Sequence, residues 1–282
     1  MFTFGWFSSG RDQAALDLFN AVLDRIESGF IPGRVAYVFC DREPGETRAS
    51  DHFLAAVRRR GVPLVTHSSG KLRSLIRQKA PELAAFRRAY DAEVIQHLQG
   101  FQVEVVVMAG YMLILSELLC RTFLCLNLHP ALPGGPKGTW QEVMWQLMSA
   151  RAREAGAMMH LATPRLDAGP PVAYFRFPLS GTAFAAGWEQ WERKRKTQTL
   201  AQIQAQEGEA EPLFALLRAE ELRREFPLIL LTLKNLASGA FHLSREGVTL
   251  AGRLIPEGID LTEQVEEFIR KVAHEPLALS KP

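Results

Sequence analysis

Residues 103–109 form an almost continuous apolar run between Gly100 and Gly110. A strand with one face in water alternates apolar and polar residues, whereas a strand covered by helices on both faces is apolar along its length. The two glycines delimit a segment of strand length rather than helix length. The run therefore predicts a central parallel strand of an α/β protein.

Segments with strand and helix patterns alternate on both sides of this run. Strands are predicted at residues 2–7, 34–40, 62–66, 103–109, 158–162 and 172–177, with a further strand carrying Asn127 and His129. Helices are predicted at residues 16–26, 48–60 and 82–98, the first of them capped by Asp12. Alternation at this spacing predicts a Rossmann-like, doubly wound, mostly parallel sheet.

The composition changes after Ser180, which suggests an appended segment. We expect an α/β core at 1–180, a helical insertion at 181–210, a helix and hairpin of the same domain at 211–256, and a tail at 257–282. Phe184, Trp188 and Trp191 recur at helical spacing, so residues 183–209 are predicted to form one long helix with its aromatic stripe on the core. Pro227 predicts a new segment or a kink in the helix at 211–236.

Charge and cysteine content exclude several classes of protein. The formal net charge of +2 gives no reason to expect a nucleic acid partner. Three cysteines without C-x-x-C spacing favour reduced thiols in a cytoplasmic protein and predict no metal site. The N-terminus lacks the basic segment of a signal peptide, and no apolar run reaches the ~18 to 20 residues that span a bilayer. We therefore expect a soluble protein that does not enter membranes.

Candidate site residues lie where predicted strands end, because sites of doubly wound sheets lie in the loops at the carboxyl ends of strands. Asn127 and His129 are two residues apart on one strand, so their side chains point to the same side. An amide and an imidazole together at a strand end favour a functional pair over a structural histidine. Asp167 has two interpretations, either a third site residue or a turn aspartate that bonds its own backbone.

Several linked motifs in one order resemble the folate-dependent formyltransferases, in particular the branch that formylates glycinamide ribonucleotide in purine biosynthesis. The motifs are Asn127-Leu128-His129-Pro130, Leu166-Asp167-Ala168-Gly169-Pro170, AGYMLILS at 109–116, GAMMHLAT at 156–163 and FPLILLTLKNLASGAFHL at 226–243. The resemblance covers about 1–178 and 211–256, and it implies the formyltransferase fold with catalysis in the core.

The implied reaction moves a formyl group from 10-formyltetrahydrofolate to an amine. A neutral amine attacks the formyl carbon and an oxyanion develops, so hydrogen-bond donors must lie where that charge forms. Asn127 and His129 would supply such donors, and Asp167 would orient His129 or accept a proton through water. This chemistry needs no metal.

The resemblance also implies binding residues on two sides of this catalytic trio. The folate side comprises Leu113, Ile114, Leu115, His160, Ala168 and Gly169. The side of the amine substrate comprises Gly10, Arg11, Asp12, Gln13, Met112, Pro130 and Glu221.

This chain departs from the family pattern mainly on the amine side. The family's glycine-rich first loop, S-G-x-G-S-N, is here SGRDQA, where Arg11 could bind a phosphate but Asp12 would oppose it. Leu113 replaces an arginine of the family, and residues 183–209 have no counterpart there. The spacing between Glu221 and Pro227 differs by one position from the spacing of the glutamate and proline in the family. We expect glycinamide ribonucleotide as the acceptor and a possible homodimer. A different amine such as an amino sugar or aminoacyl group, a non-catalytic folate binder and a formyl-folate hydrolase remain alternatives.

Overall fold

The computed structural model describes residues 1–76 and 83–274. Its strands are β1 (Phe2–Ser8), β2 (Gly33–Cys40), β3 (Leu64–Thr66), β4 (Val105–Met108), β5 (Cys125–His129), β6 (Glu154–Leu161), β7 (Pro171–Pro178), β8 (His242–Ser244), β9 (Gly247–Leu250), β10 (Arg253–Ile255) and β11 (Ile259–Asp260). Its helices are α1 (Gln13–Glu27), α2 (Arg48–Arg59), α3 (Ser69–Ile76), α4 (Leu83–His97), α5 (Glu117–Thr122), α6 (Trp140–Ser149), α7 (Thr182–Thr197), α8 (Leu200–Gln206), α9 (Pro212–Ala237) and α10 (Thr262–His274).

Eight strands form the main sheet in the order β11-β7-β6-β5-β4-β1-β2-β3. The pairs from β3 to β5 and the β7–β11 pair are parallel, whereas β5–β6 and β6–β7 are antiparallel. The predicted mostly parallel α/β sheet is therefore confirmed, with an antiparallel segment on one side of its centre. The predicted helix at 82–98 corresponds to α4, and its first predicted residue lies outside the described part of the chain.

The position of β4 explains why its sequence is apolar throughout. Val105 and Val107 belong to the core on the side of α1, α2, α6 and α9, whereas Val106 and Met108 belong to the core on the side of α4 and α5. All four side chains are buried, with β1 on one edge and β5 on the other. The prediction of a central strand buried on both faces is confirmed.

The insertion differs from its predicted form. α7 ends at Thr197, and α8 starts afresh because the Thr199 hydroxyl accepts from the backbone N–H of Gln202, whose side chain bonds back to the Thr199 backbone. This capping box separates two helices, so the prediction of one helix over 183–209 is wrong. The aromatic stripe does pack on the core, where Trp191 is buried and lies 6.1 Å from Trp145 between ring centroids.

The segment after the insertion is one helix of 26 residues, with Pro227 inside it. Of the two outcomes predicted for Pro227, a new segment does not occur, because buried residues on both sides of it, such as Leu217 and Leu228, hold the chain on the core. The predicted hairpin is present as β8 and β9, and β10 extends it to a three-stranded sheet.

The end of the described chain contributes to the main sheet. β11 pairs with β7 in parallel, and α10 follows it against α9 and β7. The sequence predicted only a tail from residue 257, and residues 275–282 of that tail lie outside the described residues. Over residues 1–76 and 83–274, none of the helices combines the length and the apolar character that a membrane span requires.

Candidate active site

The strand β5 brings Asn127 and His129 to one face at the point where β4 ends. Asn127 pairs with Met108, the last residue of β4, and His129 extends beyond it. On the other edge of β5, Asn127 pairs with His160 and His129 with Met158 of β6. Asn127 therefore lies level with the end of β4, and His129 lies beyond that end.

The carboxylate of Asp167 lies between two histidines. Asp167 Oδ2 is 3.4 Å from His129 Nδ1, and Asp167 Oδ1 is 3.8 Å from His160 Nε2. The three side chains are 2% to 6% exposed. Asn127 Nδ2 is 3.2 Å from His160 Nε2. The structure thus brings together the three residues predicted for catalysis, together with His160.

The turn that carries Asp167 has a strained backbone and a close neighbour. Asp167 has a φ of 47°, and a β-carbon at Gly169 would lie 1.6 Å from the carbonyl oxygen of Leu161. Glycine is therefore required for the loop to approach β6 so closely. The Asp167 carboxylate also accepts from the backbone N–H of Gly138 at 3.3 Å. These contacts join Asp167 to residues outside its own turn. The structure therefore does not contain an aspartate that bonds only its own turn.

The loop between β5 and α6, residues 130–139, folds back over the site. The carbonyl oxygen of Pro136 lies 2.8 Å from His129 Nε2. Gly138 has a φ of 120°, and Thr139 and Glu142 form a capping box at the start of α6. Sequence analysis missed these contacts, although Thr139-x-x-Glu142 is a recognisable helix start. Pro130, predicted on the amine side, lies in this loop and is partly buried.

His160 determines how the amide of Asn127 is oriented. His160 Nδ1 lies 3.0 Å from the carbonyl oxygen of Leu161, so the proton resides on Nδ1 and Nε2 is free to accept from Asn127 Nδ2. Burial lowers the pKa of His160 to about 4, with the neighbouring His129 acting in the same direction and the contact with the Leu161 carbonyl opposing them. His160 is therefore neutral near pH 7, and the second hydrogen of the Asn127 amide can donate to a ligand.

The loops after β1 and β4 are joined by hydrogen bonds. Ser9 N–H donates to the Gly110 carbonyl at 3.1 Å, and Met112 N–H donates to Ser9 Oγ at 3.2 Å. Gly10, Arg11, Asp12 and Met112, all predicted to bind the amine substrate, lie on these two loops, and Gln13, predicted with them, is the first residue of α1. Met112 is 55% exposed, so its apolar side chain is largely uncovered.

A hydrogen bond to Asp91, a residue that the sequence did not single out, holds the predicted folate segment in place. Ser116 N–H donates to Asp91 Oδ2 at 2.6 Å, and Asp91 is buried on α4. Burial raises the pKa of the Asp91 carboxyl, and the bond from Ser116 opposes that rise. Leu115 is buried, whereas Leu113 and Ile114 are partly accessible.

The sequence profile of the formyl transferase family matches residues 14–183, more than half of the 282-residue chain. This chain belongs to the formyl transferase family. The predicted resemblance to folate-dependent formyltransferases, and the interpretation of the chain as an enzyme of that class, are confirmed.

Phosphoribosylglycinamide formyltransferases are among the relatives of this formyltransferase. It is 28% identical to the Schizosaccharomyces pombe enzyme over 172 residues, which are 58% of this chain and 78% of that one. It is 28% identical to the Escherichia coli enzyme over 163 residues, 57% of this chain and 67% of that one.

Solved structures with those activities in their names share the fold. Glycinamide ribonucleotide transformylase 1 from Symbiobacterium toebii superposes with a TM-score of 0.59 at 24% identity, covering 89% of this chain and 94% of that one. Phosphoribosylglycinamide formyltransferase from Coxiella burnetii gives a TM-score of 0.62 at 17% identity, covering 92% and 98%.

Glu221 of this formyltransferase, predicted on the amine side, is paired within its own helix. It is fully buried on α9, where Arg218 Nη1 is 2.8 Å from Glu221 Oε2 and 2.5 Å from Glu225 Oε1. Burial, and then the charge of Glu225, raise the pKa of Glu221 well above its usual range. The Arg218 guanidinium also lies 4.6 Å from the centre of the Trp140 ring. A ligand could reach Glu221 only if these side chains moved.

Proposed function

We propose that this protein transfers the formyl group of 10-formyltetrahydrofolate to an amine, with Asn127, His129 and Asp167 as its catalytic residues. The observation that carries the proposal is the convergence of these side chains on one largely buried point at the end of β4. Family membership adds the reaction class. The folate is the co-substrate, and its proposed contacts are Leu113, Ile114, Leu115, His160, Ala168 and Gly169.

The reaction requires two bond changes and one net proton transfer. The lone pair of the amine attacks the formyl carbon, and the carbonyl electrons move to oxygen to give a tetrahedral oxyanion. The bond between the formyl carbon and the folate nitrogen then breaks, and the carbonyl re-forms on the new amide. The amine loses one proton and the folate nitrogen gains one, so donors for the oxyanion and a route for the proton are both needed.

Asn127 is suited to be the first oxyanion donor. One hydrogen of its amide points to neutral His160, which holds the amide in place. The other hydrogen is then available to donate in the cleft, because the amide is already held in one orientation. Preorganised donors of this kind typically contribute about 100- to 1000-fold in rate. His160 contributes through Asn127 and is a positioning residue in this proposal.

His129 is proposed as the second donor, after an exchange of partners. A carbonyl oxygen can only accept, so the contact with Pro136 requires a proton on His129 Nε2. The developing oxyanion would take the place of the Pro136 carbonyl. Asp167, beside Nδ1 at 3.4 Å, would hold the ring and stabilise positive charge on it as the proton moves from the amine to the folate nitrogen.

Glycinamide ribonucleotide is the first acceptor to consider, because it is the substrate class in the names of the curated relatives. Its proposed contacts are Gly10, Arg11, Asp12, Gln13, Met112 and Pro130, with Glu221 dependent on the movement described above. A different amine is the second candidate, and the observation in its favour is the carboxylate of Asp12 at the start of α1. A homodimer remains a prediction.

One assay separates transfer, hydrolysis and simple binding. Wild-type protein is incubated with 10-formyltetrahydrofolate in the presence and absence of glycinamide ribonucleotide, and the folate product and free formate are measured. We expect folate turnover that depends on the amine and collapses in Asp167→Asn. Formate release without an amine would instead indicate a hydrolase. Tight folate binding with no turnover for any amine tested would indicate a binder.

A further inference from the structure

The backbone of residues 113–115 leaves its hydrogen-bonding groups without protein partners. These residues lie in the loop between β4 and α5, and across residues 1–76 and 83–274 no hydrogen bond engages the N–H or the carbonyl group of any of the three. The side chains of Leu113 and Leu115 pack into the core on the side of α4 and α5. The chain is thus held on the protein while its peptide groups remain available to a ligand.

The two ends of this segment are held by buried side chains. Before it, Met112 N–H donates to Ser9 Oγ at 3.2 Å. After it, Ser116 N–H donates to Asp91 Oδ2 at 2.6 Å. Asp91 is 2% exposed, and Ser9 is fully buried. Because hydrogen bonds to a carboxylate are about twice as strong as those between neutral groups, Asp91 is the stronger of the two anchors.

Asp91 lies on the buried face of α4. Phe86 and Val94 of the same helix are also buried, and α4 packs against α5, which begins directly after Ser116. A carboxylate costs more to bury than an apolar side chain unless it is hydrogen-bonded. What it adds here is direction, because the apolar packing of the two leucines is non-directional and does not fix the rotation of a peptide group.

The helix that carries Asp91 is itself tied to the main sheet. The hydroxyl of Tyr90, the preceding residue, donates to the carbonyl oxygen of His67 at 2.6 Å, in the loop after β3. His67 N–H in turn donates to the carbonyl oxygen of Cys40, at the end of β2, at 3.1 Å. The position of Asp91 relative to the sheet is therefore set by two hydrogen bonds as well as by helix packing.

We propose that Asp91 is a positioning residue for the folate co-substrate. Through the Ser116 N–H it holds the peptide groups of residues 113–115 in the orientation in which a flat ring with a hydrogen-bonding edge, such as the pterin of folate, binds them. The inference rests on the proposed function, which assigns folate to these three residues. Asp91 touches neither the ligand nor the reacting atoms, so it acts on affinity and leaves the catalytic groups unchanged.

The test is a calorimetric titration with tetrahydrofolate under anaerobic conditions, since this probe carries no formyl group and needs neither acceptor nor turnover. Asp91→Ala and Asp91→Val both remove the acceptor, and valine fills more of the space. Asp91→Asn keeps an oxygen that can accept the same N–H. The matched control is Asp51→Ala, because Asp51 Oδ1 accepts from the Gly45 N–H at 2.7 Å in the loop before α2. Melting temperatures check folding.

The alanine and valine variants are expected to bind tetrahydrofolate roughly 5- to 30-fold more weakly than wild type, because the ligand must then order about one backbone residue itself. Asp91→Asn and Asp51→Ala should stay close to wild type. Wild-type affinity in the alanine and valine variants, or an equal loss in Asp91→Asn, would overturn the inference and leave the proposed function intact. No binding by wild type would overturn both. Weakened binding in a protein that transfers no formyl group would support the inference and count against the proposed reaction.

Hydrogen exchange of the wild type gives a second readout that does not depend on the folding of any variant. We expect the Ser116 N–H to be protected before a ligand is added, and the N–H groups of Leu113 and Ile114 to become protected only when tetrahydrofolate binds. A Ser116 N–H that exchanges freely until tetrahydrofolate is added would overturn the inference, because the ligand and not Asp91 would then order the segment.

Discussion

His160 is expected to make the stability of the protein depend on pH, and His160→Gln should remove that dependence. The histidine is 2% exposed, and burial lowers its pKa to about 4. In the unfolded chain an ordinary histidine has a pKa of about 6.5. Because the folded state favours the neutral ring, its contribution to stability is fully present above about pH 6.5 and is lost as the pH falls toward 4. Glutamine does not titrate and can still accept from Asn127.

The magnitude follows from the two pKa values. The pKa of His160 is about 4 in the folded protein and about 6.5 in the unfolded chain. This difference lowers the free energy of unfolding of the protein by roughly 3 kcal/mol between pH 7 and pH 4. This is a large part of the ~5–15 kcal/mol that stabilises a typical domain. His160→Gln is expected to be less stable at pH 7, since the fit of the ring is lost, but to change less with pH.

Urea unfolding at several pH values between 4 and 7.5 measures the effect in wild type, His160→Gln and the control His52→Gln. His52 is exposed on α2, so the control makes the same substitution at the surface. Other groups also titrate, among them His67, whose pKa burial lowers. The relevant quantity is therefore the difference in slope between variants. Equal losses of stability in wild type and His160→Gln would refute the account of a buried neutral histidine behind Asn127.

Three further predictions concern the scaffold of the site. Gly169→Ala should destabilise the protein by about 3 kcal/mol or more in urea unfolding, since its β-carbon would meet the Leu161 carbonyl; an unchanged midpoint would contradict this. Thr199→Ala should lower stability by about 1 kcal/mol in the same assay through loss of the capping box, whereas Thr199→Ser should restore it. Arg218→Met should lower the free energy of unfolding by about 3–5 kcal/mol at pH 7, because it leaves Glu221 and Glu225 buried without a cation. This loss of stability should be smaller in acid, where the carboxyls are protonated. A loss of stability independent of pH would argue against this origin.

Side-chain patterns sufficed where a residue type was diagnostic of its environment. The apolar run at β4 could only be buried on both faces, and the two-residue spacing of Asn127 and His129 required a shared side of a strand. Asp12 was expected to cap α1 and does so. The family motifs added the fold, because their order along the chain is distinctive.

The sequence was uninformative where backbone atoms or distant contacts decide the structure. Pro136 binds His129 through its carbonyl oxygen, which every residue type possesses. The pairing of β11 with β7 is formed by two residues, too few for a periodic pattern. Pro227 was predicted to start a new segment or kink the helix, but α9 continues through it, because packing on both sides outweighs a local penalty of about 3 kcal/mol. All three features depend on tertiary contacts, and at Pro227 those contacts overrode a local pattern.

The most direct test of the proposed mechanism is the rate of formyl transfer from bound 10-formyltetrahydrofolate in Asn127→Ala, with folate affinity measured in parallel. Asn235→Ala, which makes the same change near the far end of α9, is the matched control. The mechanism predicts a rate about 100- to 1000-fold below wild type for Asn127→Ala, with folate affinity within a few-fold and Asn235→Ala unaffected. A wild-type rate in Asn127→Ala would contradict the assignment of this amide as an oxyanion donor.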